Sequence, residues 1–201
     1  MLPDGYSDIP AGKLAAVVTS LEMRAPPDRG NHPEQPGVTL DRIARPDVAW
    51  YRDLYRRIGA EWFWVSRLAM PEAELAEILE HPDVEVYAVM RDGRAEGLLE
   101  LDFRVADVCE LAFFGLTAAL IGKGAGRWLM NRAIARAFSR EASPIRRFWL
   151  HTCTLDAPQA LDFYMRSGFK PVRRQVEVFD DPRLTGILPE TTAPRVPLLR
   201  P

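Results

Sequence analysis

The chain has 201 residues, 47% of them hydrophobic, and a formal net charge of -2, with a pI near 6.0; it can bury one sizeable core and is long enough for a single domain with extensions. The slight acidity excludes general nucleic-acid binding, which needs a basic surface to neutralise phosphates, and no stretch is apolar for long enough to span a bilayer. Met1-Leu2-Pro3-Asp4 has neither the basic segment nor the apolar run of a signal peptide, so a cytoplasmic protein with no nucleic-acid and no membrane partner is expected.

Ala15 to Met23 reads as a strand, followed by a Pro/Gly-rich loop from Pro26 to Gly37 and a short strand from Val38 to Ile43. The two strands could pair antiparallel. After Pro46, Val48, Tyr51, Leu54, Tyr55 and Ile58 recur at the spacing of one helix face, with Gly59 as the stop. Pro71 opens a second helix, with Glu72 and Glu74 complementing its positive end and Leu75, Ile78 and Leu79 as its apolar stripe. Strands follow at Val84 to Met90, Glu96 to Phe103 and Val108 to Leu116, the first two joined at Arg91-Asp92-Gly93-Arg94, where Asp-Gly signals a hairpin. A glycine cluster then opens a helix carrying Leu129, Ala133, Ile134 and Ala137 that ends between Ser139 and Pro144. A strand at Arg147 to Thr152, a helix from Pro158 to Ser167 and a last strand from Phe169 to Phe179 close the series. The prolines after Asp180 suggest a tail that wraps the surface or stays mobile, outside the core, although Leu184, Ile187 and Leu188 could dock locally. The organisation read from this pattern is an N-terminal extension with an additional strand (1–37), a main domain (38–179) and a Pro-rich tail (180–201).

Cys109 and Cys153 lie in strand-like apolar runs and read as packed free thiols. His32, His81 and His151 are far apart, no Cys/His pair has the spacing of a zinc site, and no metal is expected.

Ile121-Gly122-Lys123-Gly124-Ala125-Gly126-Arg127, between a strand and a helix, has the composition of an anion site: glycines admit close backbone approach, and the first amides of a helix favour a diphosphate. Two rival phosphate loops fail on spacing. Walker A needs Gly-Lys followed by Ser or Thr, whereas Gly124 follows Lys123; the dinucleotide pattern needs glycine where Ala125 or Arg127 stands, and a meander precedes the loop rather than a parallel unit. A glycine-rich turn that holds nothing is the other reading of the loop taken alone.

Downstream, Ala160-Leu161-Asp162-Phe163-Tyr164-Met165-Arg166-Ser167-Gly168-Phe169 is a short helix that delivers a tyrosine and ends at a glycine before a strand. Together with the loop it resembles the Gcn5-related N-acetyltransferase (GNAT) superfamily, whose loop reads Gln/Arg-x-x-Gly-x-Gly/Ala and whose later helix ends in Tyr-x-x-x-Gly-Phe. The resemblance covers Val38 to Phe179. It implies an α/β (α+β) GNAT fold: a central mixed, mostly antiparallel twisted sheet of about seven strands flanked by about four helices. It further implies acetyl-CoA as acyl-donor co-substrate, held by the backbone of Ile121, Gly122, Lys123, Gly124, Ala125, Gly126 and Arg127, with Leu116 where strand backbone meets the pantetheine arm. Ile121 departs from the family's Gln or Arg, and Ala157 from an Asn that many members carry.

Direct acetyl transfer to a primary amine needs a deprotonated nitrogen, a hydrogen-bond donor to the thioester carbonyl, and a proton for the departing thiolate. The resemblance places Tyr164 beside the thioester as that acid; the other reading of Tyr164 is a core aromatic. Glu110 is an acid in an apolar run and the candidate base, since burial would raise its pKa; Glu110 to Thr117 also resembles the histone-acetyltransferase branch, where a glutamate at the matching position takes the amine proton. An exposed strand start is the alternative for Glu110. Glu100 is the second candidate base, sharing a strand face with Asp102, and such acids could favour a cationic amine or equally face water.

Trp62, Phe63 and Trp64 read as core anchors, with a substrate wall as the alternative. His151 and Cys153 lie on one strand face, where a thiol-hydrolase pair competes with simple strand packing. Arg56-Arg57 and Arg146-Arg147 read as solvated faces. The functional expectation is an N-acetyltransferase acting on a small-molecule or peptide amine, with a non-catalytic CoA-binding module on the same fold as the alternative. A homodimer through the last strand and tail is compatible with the pattern.

Overall fold

A computed structural model describes residues 4–28, 34–140 and 143–201. Met1 to Pro3, the 29–33 part of the expected Pro26–Gly37 loop with His32, and residues 141–142 beyond the glycine-loop helix lie outside the described residues. In chain order the elements are β1 (Lys13–Met23), β2 (Thr39–Arg42), α1 (Val48–Gly59), a single 3-10 turn (Ala60–Trp62), α2 (Ser66–Ala69), α3 (Glu72–Glu80), β3 (Val84–Arg91), β4 (Arg94–Asp102), β5 (Val108–Leu116), α4 (Ala125–Phe138), β6 (Arg147–Cys153), α5 (Ala160–Arg166) and β7 (Lys170–Asp180). All but α2 and the 3-10 turn correspond to elements read from sequence; these two are too short to show a period.

Local chemistry accounts for several boundaries. Asp47 caps α1, its Oδ1 accepting from the Trp50 amide at 2.8 Å, and the stripe Tyr51, Leu54, Tyr55 and Ile58 is buried. Asp92 and Gly93 both take positive φ, 49° and 76°, as the tight hairpin between β3 and β4 requires.

The seven strands form one sheet in the order β2-β3-β4-β5-β6-β1-β7, antiparallel throughout except for the parallel pair β5/β6. β1 and β2, which could have paired with each other, do not. β1 lies between β6 and β7, and β2 pairs with β3 at the opposite edge. Burial explains the separation: Leu14, Ala16, Leu21 and Met23 bury on both faces of β1, which suits an interior strand, whereas β2 is short and mostly exposed. The strand assigned to an N-terminal extension is therefore interior to the sheet.

Two irregularities shape the centre. β5 and β6 pair only from Val108/Arg147 to Glu110/Trp149 and then part. A bulge in β5, between the pairs Leu101/Leu111 and Glu100/Phe113, leaves Ala112 unopposed and switches the faces that follow, so that Leu111 and Phe114 pack with α4 while Phe113 packs with α1.

Among the described residues the core has three clusters. One joins the sheet to α4, a second joins it to α1 and α3, and a third gathers Leu14, Ala16, Phe63, Leu155, Leu188 and Ala193. The tail, expected outside the core, thus contributes to it. Arg183, fully buried, donates from Nε to Asp181 Oδ1 at 2.9 Å, from Nη2 to Asp181 Oδ2 at 2.6 Å and from Nη1 to the Val196 carbonyl at 2.8 Å. The segment shows no period in sequence because it docks as irregular chain through such bonds, not as a helix or strand. Among the described residues no helix is long and apolar enough to cross a membrane, and no group of three or more His, Cys, Asp or Glu side chains is placed to hold a metal ion.

Candidate active site

Where β5 leaves β6 a cavity of about 550 Å³ opens, lined by β5 from Leu111 to Leu116, by Ile121, Gly122 and Gly126, by Phe163 and Tyr164, by His151, Cys153 and Glu177, and by the aromatic turn after α1. It crosses the sheet. The glycine loop and α5 lie on the α4 face, and the aromatic turn, His151, Cys153 and Phe179 belong to the opposite face. Past Glu110, the edge of β5 that faces the gap has no strand partner among the described residues, which leaves backbone donors and acceptors available to the cavity.

The glycine loop forms one wall. Gly122 and Gly124 take φ of 79° and 83°, a region that only glycine enters without strain, and this turns the chain into α4. From Ile121 to Arg127 no backbone amide makes a well-formed hydrogen bond to a described residue; the flanking amides of Leu120 and Trp128 do, to Thr117 at 3.1 Å and to Gly124 at 3.1 Å. Such a run of amides without a well-formed partner among the described residues, at the positive end of a helix, has the geometry that suits an anion. Gly126 serves the same end: a Cβ there would point toward Leu116 and Phe163, 3.9 and 4.0 Å away, so its absence bares the first turn of the helix to the cavity at a cost in helix propensity. Leu116, Ile121, Gly122 and Gly126 reach the cavity, whereas Lys123, Gly124, Ala125 and Arg127 shape the loop without lining it. Lys123 ties its ammonium back to the Ala119 carbonyl at 2.9 Å, and Ala125 is buried under the loop. The free amides match what a diphosphate needs, so the residues present fit coenzyme A.

Tyr164 stands in the wall with its ring against Phe114, Phe163 and Phe169 at centroid separations of 6.2, 5.5 and 6.4 Å. Its hydroxyl has no hydrogen-bond partner among the described residues, yet it is not one of the sealed orphan atoms, which are Arg67 Nε and Asn131 Oδ1; it opens to the cavity. Burial pushes its phenol well above the ordinary value, so it keeps its proton.

Glu110 does not line this cavity. It sits at the last paired register of β5 and β6 and lines a separate hollow of about 240 Å³ with Asp102, Arg104 and Trp149. Its carboxylate has no salt bridge or hydrogen-bond partner among the described residues, and burial raises its pKa, partly offset by His151. Asp102 differs: burial would raise it, but the Arg104 guanidinium, bonding its Oδ2 at 2.6 Å, holds it below the usual range. Glu100 is fully buried, accepts from Arg67 Nη2 at 2.5 Å and from the Tyr51 hydroxyl, and lines neither space. The second candidate base is thus a structural ion pair.

His151 and Cys153 both reach the cavity. Burial raises the Cys153 thiol above its ordinary value, the opposite of what a thiolate nucleophile needs. The arginine doublets lie outside the cavity, with Arg57, Arg146 and Arg147 paired to Asp53, Asp107 and Glu22. Phe63 and Trp64 pack in core clusters as read from sequence, and together with Trp62 they also line the cavity, the alternative reading of the three; Glu177 and Phe179, which carry no such sequence signal, line it too. The signal present in sequence was three consecutive aromatics directly after a helix stop.

In structure the chain is similar to a functionally unknown conserved protein of Staphylococcus epidermidis ATCC 12228, with a TM-score of 0.59 and 16% identity over 84% of this chain and 63% of that one. A GCN5-related N-acetyltransferase from Sphaerobacter thermophilus matches with a TM-score of 0.57 and 14% identity over 83% of this chain and 52% of that one. An aminoglycoside acetyltransferase from an uncultured soil metagenomic sample, in complex with trehalose, matches with a TM-score of 0.52 and 19% identity over 72% of this chain and 95% of that one. The chain spans less than two thirds of the length of the first two, and at these identities the likeness is one of fold. No curated protein matches its sequence. Residues 50–169, more than half of the chain and spanning β5, the glycine loop and the tyrosine helix, match the acetyltransferase (GNAT) family, and the chain belongs to that family.

Proposed function

We propose that this protein transfers an acetyl group from acetyl-CoA to a primary amine, on a small molecule or a peptide, by direct attack within the cavity. The observation that carries the reading is the run from Ile121 to Arg127, whose amides make no well-formed hydrogen bond to a described residue and of which Ile121, Gly122 and Gly126 line the same cavity as Tyr164, whose hydroxyl has no partner among the described residues. Acetyl-CoA bound there supplies a thioester. The loop amides hold its diphosphate, and the free edge of β5 up to Leu116 offers peptide-like partners to the pantetheine arm. The amine nitrogen forms a bond to the acetyl carbon as the carbon–sulfur bond breaks; Glu110, which stands outside the cavity lining, takes the nitrogen's proton through an intervening water, and Tyr164 gives its own to sulfur. Glu110 suits this role because its carboxylate is free and burial raises its pKa. A cytoplasmic location stays part of the proposal, as does a homodimer across β7, an edge strand exposing Val172, Val176 and Val178.

Titration calorimetry with acetyl-CoA, followed by a thiol-release assay over an amine panel, tests the reading. Binding together with thiol release supports it. Absence of binding removes the cofactor assignment, and binding with no release from any amine leaves a non-catalytic CoA-binding module.

A further inference from the structure

We infer that the acceptor is an arylalkylamine, an amine joined by a short linker to an aromatic ring, and that residues 62–65, braced from behind by the C-terminal segment, form the wall that selects it. The inference rests on the acetyl-transfer reading above.

The three aromatics after α1 do three different things. Trp64 folds back to α1, its amide donating to the Gly59 carbonyl at 3.0 Å and its ring packing against Tyr55 and Phe113 at 5.4 and 5.3 Å. Phe63 turns the chain in the left-handed region, with φ 58°, rare for a bulky residue and stable only where the surroundings hold it. What holds it is the C-terminal segment: the Arg183 guanidinium stacks over the Phe63 ring at 5.1 Å, and Leu188 and Ala193 pack in the same cluster. Trp62 belongs to none of the three core clusters. It lines the cavity with Arg195 stacked over it at 4.6 Å, and Arg195 also donates to the carbonyls of Glu61 and Leu155. One tail arginine therefore ties the aromatic turn to Leu155, another lining residue.

The face this creates is Trp62, Phe63, Trp64, Val65, Leu155 and Phe179. Among the described residues two carboxylates, Asp156 and Glu177, line the cavity with it. Asp156 is spent on the Thr152 hydroxyl at 2.6 Å and the Cys153 amide at 2.9 Å, which leaves Glu177 free, with no hydrogen bond or ion pair among the described residues. A polyamine or aminosugar would set several ammonium groups against these rings with Glu177 as the one uncommitted carboxylate among the described lining residues. An arylalkylamine brings one cation and one ring, and the ring removes apolar surface from water on both sides.

The test is thiol release with acetyl-CoA for phenethylamine and tryptamine against ethylamine, spermidine and an aminoglycoside; a Phe-initiated tripeptide distinguishes a free amine from a peptide terminus as the source of the same group. Phenethylamine is expected to exceed ethylamine by about 30-fold in kcat/KM, the worth of one buried ring. Trp62→Ala should shrink that ratio to a few fold. Arg195→Ala, a positioning change, should raise KM for phenethylamine about tenfold with little change in kcat and none in the acetyl-CoA dissociation constant, and Arg195→Lys should recover part of the loss. Better turnover of spermidine or the aminoglycoside than of phenethylamine, or a ratio unmoved by Trp62→Ala, overturns the inference while leaving acetyl transfer standing. Failure of the parent protein to bind acetyl-CoA, or to release thiol with any amine, overturns the acetyl-transfer reading itself.

Discussion

Replacing Tyr164 by phenylalanine removes one hydroxyl from the cavity wall and leaves the ring stack with Phe114, Phe163 and Phe169 in place. Because that hydroxyl has no hydrogen-bond partner among the described residues and is not sealed away, folding loses little, and the stability change should stay within about 0.5 kcal/mol, a melting shift of about 2 °C at this size. Catalysis should lose more. General acid catalysis contributes about 10²–10⁴-fold, but a thiol of ordinary pKa, about 8.5, is already a fair leaving group near neutrality, which points to the lower end: about 10²-fold in kcat, or about 2.7 kcal/mol. The phenol holds its proton through the neutral range because burial raises its pKa, so the deficit should persist from pH 7 to 9. It should shrink for acyl donors whose thiols are more acidic. Single-turnover thiol release, with calorimetry for acetyl-CoA affinity and thermal melts, reads all three quantities. A Tyr164→Phe variant with kcat within twofold of the parent would remove the acid assignment, and one that melted far lower and lost cofactor affinity would show a structural role instead.

Gly124→Glu places a side chain at φ 83° and a negative charge beside the loop amides; acetyl-CoA affinity should fall at least about 100-fold, with Gly124→Ala separating strain from charge, and unchanged affinity would refute the anion site. For Glu110, burial raises the folded pKa above the unfolded value, so the folded state binds the proton more tightly and the group's contribution to stability falls as pH rises through that interval. Glu110→Gln should therefore raise the melting temperature at neutral pH but not near pH 3. It should also abolish the acid limb of kcat/KM, where the parent gains activity as the carboxylate ionises above the ordinary glutamate range; a limb that survives in the variant would assign it to another group. Glu100→Ala leaves Arg67, 8% exposed, without its carboxylate and should cost about 3–5 kcal/mol, measured by denaturant unfolding, while kcat of the folded fraction holds. A loss of turnover without a loss of stability would return Glu100 to the list of bases.

The glycine loop and the tyrosine helix were legible because backbone geometry depends on residue type: Gly122 and Gly124 adopt a conformation that other residues avoid, and the α1 stripe from Tyr51 to Ile58 follows from helical period alone. The strand partners of β1 were not legible, since neighbours in sequence pair by default and only competition among all the strands for burial moves β1 between β6 and β7. The role of Glu100 was equally hidden. Its alternation with Asp102 put it on a face with other acids, but the Arg67 and Tyr51 that take up its oxygens come from a separate part of the chain. The same holds for Trp62 and the tail, whose contact depends on Arg195 meeting residues 61, 62 and 155.

The amino-acid order by itself determined most of the elements, the shape of the glycine loop and the family, because period and glycine placement act over a few residues. The tertiary structure decided which carboxylate is free and which is paired, where the sheet opens, and what the cavity's far wall is made of, because those depend on desolvation and contacts between segments far apart in the chain.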